Sequence, residues 1–577
     1  MVSEATTATV SAPPGYWQRE ASHYPKPLTP LGADFLIEPI NSAFRKMFAE
    51  FGFPLEALEF RDIGGYIYQR MKPLGAGDGA GPTTLPPKFV LWTVVRLHPA
   101  FRARAARCKE AFRTRLDRQY VYRWYEELRP QLTKDIDRLR AVDLPALSDE
   151  QLAAHVDEVW RFGQYAFDVH FLLTLTWFPI INLTFFCRDQ LGYSDTDFLP
   201  LLAGLSETSS EPARALAKLA DAIRADEELK TAITDARPEA VAAVLSERSA
   251  KLSAEYADYM HRYGFRALRY ELVEQCLNER PELIGQLLQD QLRRPAGMEQ
   301  EQQRLTAART AAEEKALGAL ATEELRSEFS ELLQDAQRAY PIREENEFYT
   351  VSVPLALARF AALEAGRRLA ANSALSSAGD VFMLQYDEVV AALRSGTLDR
   401  EVIERRRGDL RAAELFDAPA SYGTEPPIPP FDVFPPDTKL AMEVLMYATD
   451  KVFEPELSNS RAEAGARELK GIAAARGSYS GPARVITGED QFDRIQPGDV
   501  LVCPITSPVW SILFAKVGAL VTDSGGILSH PAIIAREYGI PAVVATGNAT
   551  QIISDGQQVV VDGNKGIHAM VERSLVE

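Results

Sequence analysis

The sequence predicts a multidomain protein with a large, mostly α-helical region followed by a C-terminal β/β/α domain. Three features lead there: the length, a helical period over most of the chain, and a change to extended texture near residue 471. At 577 residues the chain exceeds what one hydrophobic core organises, and its 46% hydrophobic content is enough to fill several. Residues 1–26 open with MVSEATTATVSAPPG, which lacks the basic start and apolar core of a secretory signal and reads as a flexible tail. From 27 to 455 apolar residues recur at helical spacing, most clearly over 41–51, 101–116, 151–167, 211–227, 238–263 and 281–292. This stretch is expected to be one mostly helical domain.

Within it, residues 296–340 are rich in Ala, Glu, Gln and Arg and read as solvated helices without chemistry of their own. The apolar run FLLTLTWFPIINLTFF, 171–186, is shorter than the roughly 20 residues a spanning helix needs and contains Pro179 and Asn182, so a buried wall is expected there. The proline-rich segment 419–439 is incompatible with regular helix or strand and should drape or link. A hinge is expected over 456–470. From 471 to 577, GPARVIT, DVLVCPI, GALVT, PAVVAT and QQVVVDG are short apolar strands parted by turn residues.

Charge and cysteine usage narrow the function classes. A net charge of −18 disfavours a nucleic-acid or anionic-membrane binder, since either partner calls for a basic face. The four cysteines, Cys108, Cys187, Cys276 and Cys503, form no CxxC pair, so neither a metal site nor a disulfide framework is expected, and reduced thiols in the cytoplasm are the simplest reading.

One histidine carries the chemical signal. In TDSGGILSHPAIIAREYGIP, residues 517–522 read as a buried strand, 523–529 as a turn in which Gly525 and Gly526 supply unusual backbone angles, and 531–538 as a helix begun by Pro531. His530 therefore stands at a helix N-terminus, where free amides and the helix dipole favour an anion such as a phosphoryl group. Imidazole is a competent nucleophile near neutral pH and can pass a phosphoryl group onward. Thr522, Ser524, Gly525, Gly526, Ser529 and Arg536 are expected to support this loop.

GGILSHPAIIAREYGIP resembles the signature of the phosphohistidine swivelling domain of the PEP-utilising enzymes, with Pro531 where the family more often has a small residue. The resemblance extends through 471–577, although AAARGS stands where a serine-proline-glycine turn is usual. It continues more weakly upstream in PLTP (27–30), GGYIYQRMKPL (64–74), HRYGFRALRYELVEQCLNERPELI (261–284), REENEFY (343–349) and SSAGDVFMLQYDEVVAAL (376–393). Phe265 stands where the family usually has histidine, while Gly264 and Arg266 match. Neither GxxxxGK[ST] nor the glycine-lysine segments of an ATP-grasp domain is found.

The domain order is similar to rifampin phosphotransferases without their ATP-grasp portion, and to the histidine-bearing subunit of phenylphosphate synthases. That resemblance implies a dikinase-type phosphotransferase in which a separate ATP-grasp subunit, using Mg-ATP, loads His530 from the β-phosphate and leaves AMP and phosphate. The swivelling domain would then deliver the group to a phenolic hydroxyl. The same mechanism on an antibiotic or other metabolite hydroxyl, or a phosphocarrier without an acceptor site, are the alternatives.

Trp160, Phe162, Tyr165, Phe167, Trp177 and Phe178 could wall an aromatic pocket, although such residues more often fill a core. A phenol ionises only near pH 10, so a base is needed, and His170 or His261 are candidates. Arg262, Arg266 and Arg343 could steady the transferred charge. The partners expected are thus an ATP-grasp subunit and a small aromatic substrate, with no nucleic acid, membrane or bound metal.

Overall fold

The computed structural model describes residues 12–79, 84–293, 298–449, 468–506, 510–565 and 568–571. Most of the expected hinge, 456–467, lies outside the described residues. A mostly helical region and a strand-rich C-terminal sheet are present, as the sequence predicts. The chain groups into two compact units, Met1–Leu175 with Tyr270–Glu274 and Tyr349–Glu443, and Thr176–Arg269 with Gln275–Phe348 and Val444–Glu577. The helical stretch 27–455 is therefore shared between both.

The first unit is built around the helix Pro30–Phe51. Thr29 caps it by accepting the Gly32 N–H, Pro30 occupies the first turn, and Gly52 ends it at φ +91°. A Cβ on Gly52 would lie 2.4 Å from the Cys108 backbone nitrogen, so glycine is required there for space as well as angle. The helix Asp149–Leu172, opened by a Ser148/Gln151 capping box, packs along it together with Val353–Ala371 and Tyr386–Ser395. Four strands complete the unit, β1 (Trp17–Arg19), β2 (Leu55–Ile63), β3 (Tyr66–Pro73) and β4 (Ser421–Tyr422), in the antiparallel order β2-β3-β1-β4.

Two expectations fail in this sheet. The flexible tail expected over 1–26 does not extend to residues 17–19: Trp17 is fully buried, with the Arg70 guanidinium 4.6 Å from its ring centroid. The proline-rich segment likewise contributes β4 and then opens the helix Pro436–Ala448. Both are places proline permits, beside an edge strand and in a first helical turn. The β2–β3 hairpin turns on Gly64 and Gly65, both at positive φ, the geometry of a tight two-residue turn.

The second unit contains an eight-stranded sheet. Its strands are β5 (Glu468–Leu469), β6 (Ile472–Ala475), β7 (Ser478–Val485), β8 (Val500–Cys503), β9 (Ala519–Thr522), β10 (Ala542–Val544), β11 (Gln558–Asp562) and β12 (His568–Val571). The order is β5-β12-β11-β7-β8-β9-β10-β6, with β7, β8, β9 and β10 parallel and the flanking pairs antiparallel. Period-two alternation divides its side chains cleanly. Val500, Val502, Ala519, Val521 and Val543 pack with Ala549, Ile553 and Val559, while Leu501, Cys503, Leu520, Ala542 and Val544 face the opposite way.

That opposite face shares one continuous core with helices of the same unit. Leu216, Leu219 and Ile223 of Glu207–Arg224, Tyr259 and Tyr263 of Ala250–Tyr263, and Ile284 and Leu288 of Pro281–Leu292 join Ala532, Ile534 and Ala535 of the His530 helix. Two ion pairs link the connections of the sheet to this helical part, Arg269 Nε to Glu489 Oε2 at 2.6 Å and the buried Lys516 Nζ to Asp290 Oδ2 at 2.7 Å.

Two helical stretches, Asp149–Leu191 and Glu323–Ala371, are long and apolar enough to cross a membrane, yet 61% and 83% of their most apolar windows are buried within the protein. Leu173, Leu175, Ile180, Ile181, Leu183 and Phe186 of the expected wall are all buried.

Candidate functional site

His530 begins the helix Pro-Ala-Ile-Ile that crosses from parallel strand β9 to its neighbour β10. Its helix runs His530–Glu537, Ser529 stands at the N-cap in extended conformation, and Pro531 sits in the first turn. Loops at the carboxyl ends of parallel strands are where α/β sheets gather chemistry, because the helix that follows points its N-terminus there.

The loop is fixed by its own hydrogen bonds. The Asp523 amide donates to the Cys503 carbonyl and the Ser524 amide to that of Pro504, tying the end of β9 to that of β8. Thr522, fully buried, donates from Oγ1 to the Ser524 carbonyl at 2.5 Å, and its own carbonyl accepts from Thr546. The Asp523 carboxylate accepts from the Thr550 amide at 2.9 Å and from its hydroxyl, and burial pushes that carboxyl above its ordinary range. Ser529 Oγ donates to the Gly526 carbonyl at 2.7 Å, so this hydroxyl closes the loop and does not cap the helix.

Only one of the two glycines takes the unusual angle. Gly525 sits at φ +113°, and a Cβ there would come within 2.8 Å of Ser529 Oγ, whereas Gly526 is not at positive φ. Gly525→Ala is expected to destabilise the domain by about 1–3 kcal/mol through backbone strain, read as a lowered thermal midpoint, with Gly526→Ala the milder change.

His530 meets a residue that sequence reasoning missed. Its Nδ1 lies 2.8 Å from Oε2 of Glu344, which belongs to the helix Ile342–Glu347; the two side chains are 14% and 7% exposed. A carboxylate oxygen can only accept, so Nδ1 carries the hydrogen and the lone pair is placed on Nε2. Nε2 is buried and without a hydrogen-bond partner among the described residues. An oriented imidazole with its basic nitrogen unspent is the arrangement a nucleophile needs. The signal for Glu344 stood in the REENEFY segment, where attention fell on the neighbouring Arg343.

Arg536 anchors the helix at its other end. Its Nη1 donates to the carbonyls of Ala474 at 2.8 Å and Ile527 at 2.9 Å, and its Nη2 reaches the Tyr340 hydroxyl at 3.2 Å. It holds the loop in place and is fully engaged in doing so.

The remaining candidates divide. Arg266 is 4% exposed, its guanidinium 4.7 Å from the Phe348 ring. Burial lowers its pKa, while the fields of Tyr259 and Glu344 oppose that shift. Arg343 lies 5.3 Å from the ring of Trp177, a half-buried neighbour of the buried Phe178. Arg266, Arg343, Trp177 and Phe178 belong to the unit that contains His530. His261 and Arg262 belong to it as well but occupy exposed helix positions, Arg262 paired with Glu211 at 2.5 Å.

Trp160, Phe162, Phe167 and His170 belong to the other unit. Trp160 stacks on Tyr386 at 4.6 Å and meets Phe35 edge-on at 4.8 Å, while Phe167 meets Phe35 at 5.9 Å. The cavity beside Trp160, lined also by Leu31 and Tyr386, measures ≈ 10 Å³, room for about one water. These rings fill the interior, and Tyr165 is 38% exposed. His170 places Nδ1 2.9 Å from the Thr350 hydroxyl, on a π-helical turn over Phe348–Ser352. Among the described residues no cluster of three or more His, Cys, Asp or Glu could hold a metal ion.

Comparison with known proteins places both partners of the His530–Glu344 hydrogen bond inside matched segments. Residues 495–566 match the mobile domain of PEP-utilising enzymes, and residues 172–344 match the fourth domain of rifampicin phosphotransferase. The chain is 27% identical over 567 residues to the uncharacterized phosphotransferase YvkC of Bacillus subtilis, covering 97% of this chain and 62% of that protein. It is 29% identical over 314 residues to a rifampicin phosphotransferase of Streptomyces sviceus, 53% of this chain and 33% of the relative. It is 44% identical over 123 residues to phosphoenolpyruvate synthase of Pseudomonas aeruginosa, 19% of this chain and 16% of the relative. The chain thus spans less than two thirds of the length of each. The resemblance to the PEP-utilising enzymes and rifampicin phosphotransferases read from the sequence is borne out: residues 495–566, most of the C-terminal sheet region, match the mobile domain of the PEP-utilising enzymes, and His530 lies within them.

Proposed function

We propose that the protein is a phosphotransferase subunit that relays a phosphoryl group through His530 to an acceptor hydroxyl. The observation that carries this reading is the His530 imidazole itself, oriented through Nδ1 by the buried Glu344 and leaving Nε2 without a partner at a helix N-terminus. In the first step Nε2 attacks the β-phosphorus of ATP, an N–P bond forms and the P–O bond to the α-phosphate breaks, releasing AMP; water then attacks the γ-phosphorus, the bond joining it to the β-phosphate breaks, and inorganic phosphate leaves the β-phosphoryl group on Nε2. Glu344 stabilises the positive charge that grows on the ring, as a carboxylate does for any imidazole that becomes a cation. In the second step the acceptor oxygen attacks phosphorus, the N–P bond breaks and its electron pair returns to Nε2, while the acceptor proton passes to a base. Arg266 and Arg343 flank Glu344 in sequence or charge and would balance the phosphoryl oxygens.

Mg-ATP is assigned to an ATP-grasp unit on a separate polypeptide, and the acceptor to the small phenolic class. Arg343 over Trp177 supports an aromatic acceptor, since a flat ring and a guanidinium form a surface for another ring. The free, buried cysteines suit a cytoplasmic setting, burial pushing the Cys108, Cys187 and Cys276 thiols up to about 12. A second reading has an antibiotic or other metabolite hydroxyl as acceptor. It is favoured by the match of 172–344 to a rifampicin phosphotransferase domain, because that segment supplies Glu344, Arg343 and Trp177.

The test is to charge the chain with its ATP-grasp partner and labelled ATP, isolate it, and offer phenols, aliphatic alcohols and an ansamycin antibiotic in parallel. Discharge to phenols alone supports the first acceptor class, and discharge to the antibiotic alone the second. A chain that charges but discharges to none is a phosphocarrier.

A further inference from the structure

The helix that carries His530 is held at both ends, and at its far end a buried carboxyl group stands beside the Arg536 anchor. Glu537, 5% exposed, accepts the Gly204 amide N–H at Oε1 over 3.1 Å, and the Ser206 amide also donates to it. Both amides lie on the short connection that precedes the helix Glu207–Arg224. We propose that Glu537 is the catch that docks the His530 helix against the 203–206 loop, and that proton uptake by this carboxyl closes the catch while ionisation opens it. The proposal rests on the reading of the C-terminal domain as a carrier that must dock and leave.

Burial works against the ionised carboxyl, while the two amides and Arg536 favour it. On its own helix, Arg536 is engaged with Ala474, Ile527 and Tyr340, and the half-buried Tyr538 follows at the helix end. From the helix Ile342–Glu347 the Glu344 carboxylate faces it with like charge, and Tyr340 stands just before that helix. From the helix Met298–Ala319, Arg309 donates to the Ala203 carbonyl and Gln302 to that of Gly204. Burial raises the Glu537 carboxyl to about 7, with the Glu344 charge adding to the rise and the two amides and Arg536 opposing it.

The sign follows from linkage. An undocked Glu537 is solvated and titrates near its ordinary 4.5, so the docked state binds the proton more tightly. Docking is then strongest below the ordinary carboxyl range and weakens as pH rises toward and past 7, where the carboxylate must be buried charged. A phosphoryl group on His530, about two helical turns away, adds negative charge near Glu537 and keeps it protonated. Loss of that group lets Glu537 ionise. A loaded carrier therefore holds and a discharged one lets go.

The experiment uses the full chain without ATP or partner, so its outcome is separate from whether His530 is ever phosphorylated. Amide exchange at Gly204 and Ser206, corrected for intrinsic rate, is followed from pH 6 to 8.5 in the wild type, Glu537→Gln and Glu537→Ala. The expected result is a loss of protection of at least about tenfold across that range in the wild type. Glu537→Gln, which keeps an acceptor oxygen but cannot ionise, should stay protected throughout, and Glu537→Ala should be unprotected at every pH. Constant protection in the wild type, or a parallel fall in Glu537→Gln, would overturn the proposal.

Discussion

Replacing His530 with asparagine is expected to lower phosphoryl transfer by about 10⁴-fold or more, because the nucleophile is gone while the rest of the loop stays in place. Asparagine can still donate to Glu344, so the buried carboxylate is not left unpaired and the fold should hold within about 1 kcal/mol in thermal unfolding. Single-turnover transfer from labelled ATP, with the ATP-grasp partner present, checks the first part. Residual activity above a few per cent would mean that another side chain receives the phosphoryl group. Ser529, in the same loop, already donates its hydroxyl to the Gly526 carbonyl.

Glu344→Gln is expected to be nearly as damaging, lowering the rate of His530 charging by about 10²–10⁴-fold with little change in stability. The amide can turn its NH₂ toward Nδ1, which then accepts, and the ring hydrogen moves to Nε2, where it masks the lone pair that must attack phosphorus. Replacing the carboxylate of a serine-protease triad by its amide acts the same way, at about 10⁴-fold. Glu344→Asp should fall between the two, since the carboxylate remains but retreats from Nδ1. Stopped-flow quench of the charging step, compared at saturating ATP, separates this loss from any weakening of ATP binding.

Much of the carrier domain was legible because its physics is local. The strands over 478–562 announce themselves by short apolar runs between turn residues, and the strand, glycine turn, histidine and helix sequence around 517–538 needs no distant partner. Gly525 followed from turn chemistry, although the same reasoning assigned Gly526 a freedom it does not use. The edge strands β5 and β6, and β12 next to β5, were not legible, because two to four small or mixed residues carry too little period. The β2–β3 hairpin was passed over for a different reason. Its IGGY turn is a strong signal, but it sits inside a region whose helical texture dominates.

The partner of His530 was illegible for a stronger reason. Glu344 and His530 are 186 residues apart, and no periodicity in either segment encodes their meeting. Glu344 lies in a run of acidic residues that looks like a solvated face, and only the fold buries it. Glu537 is similar: it ends an amphipathic helix as a glutamate commonly does, and its contact with Gly204 depends on a loop 333 residues earlier. The aromatic residues err in the opposite direction. Trp160 and Phe167 suggested a pocket, yet ring against ring with Phe35 and Tyr386 is how such side chains most often end, as core.

The measurement that bears most directly on the relay through His530 is the location and chemistry of the captured label. The chain is incubated with a candidate ATP-grasp partner and ATP labelled at the β-phosphate, denatured, digested and mapped. The expected result is a label confined to the peptide containing His530, lost in acid, retained in base, and absent from His530→Asn. A label that survives acid, maps to a serine or to another histidine, or persists undiminished in His530→Asn would contradict it.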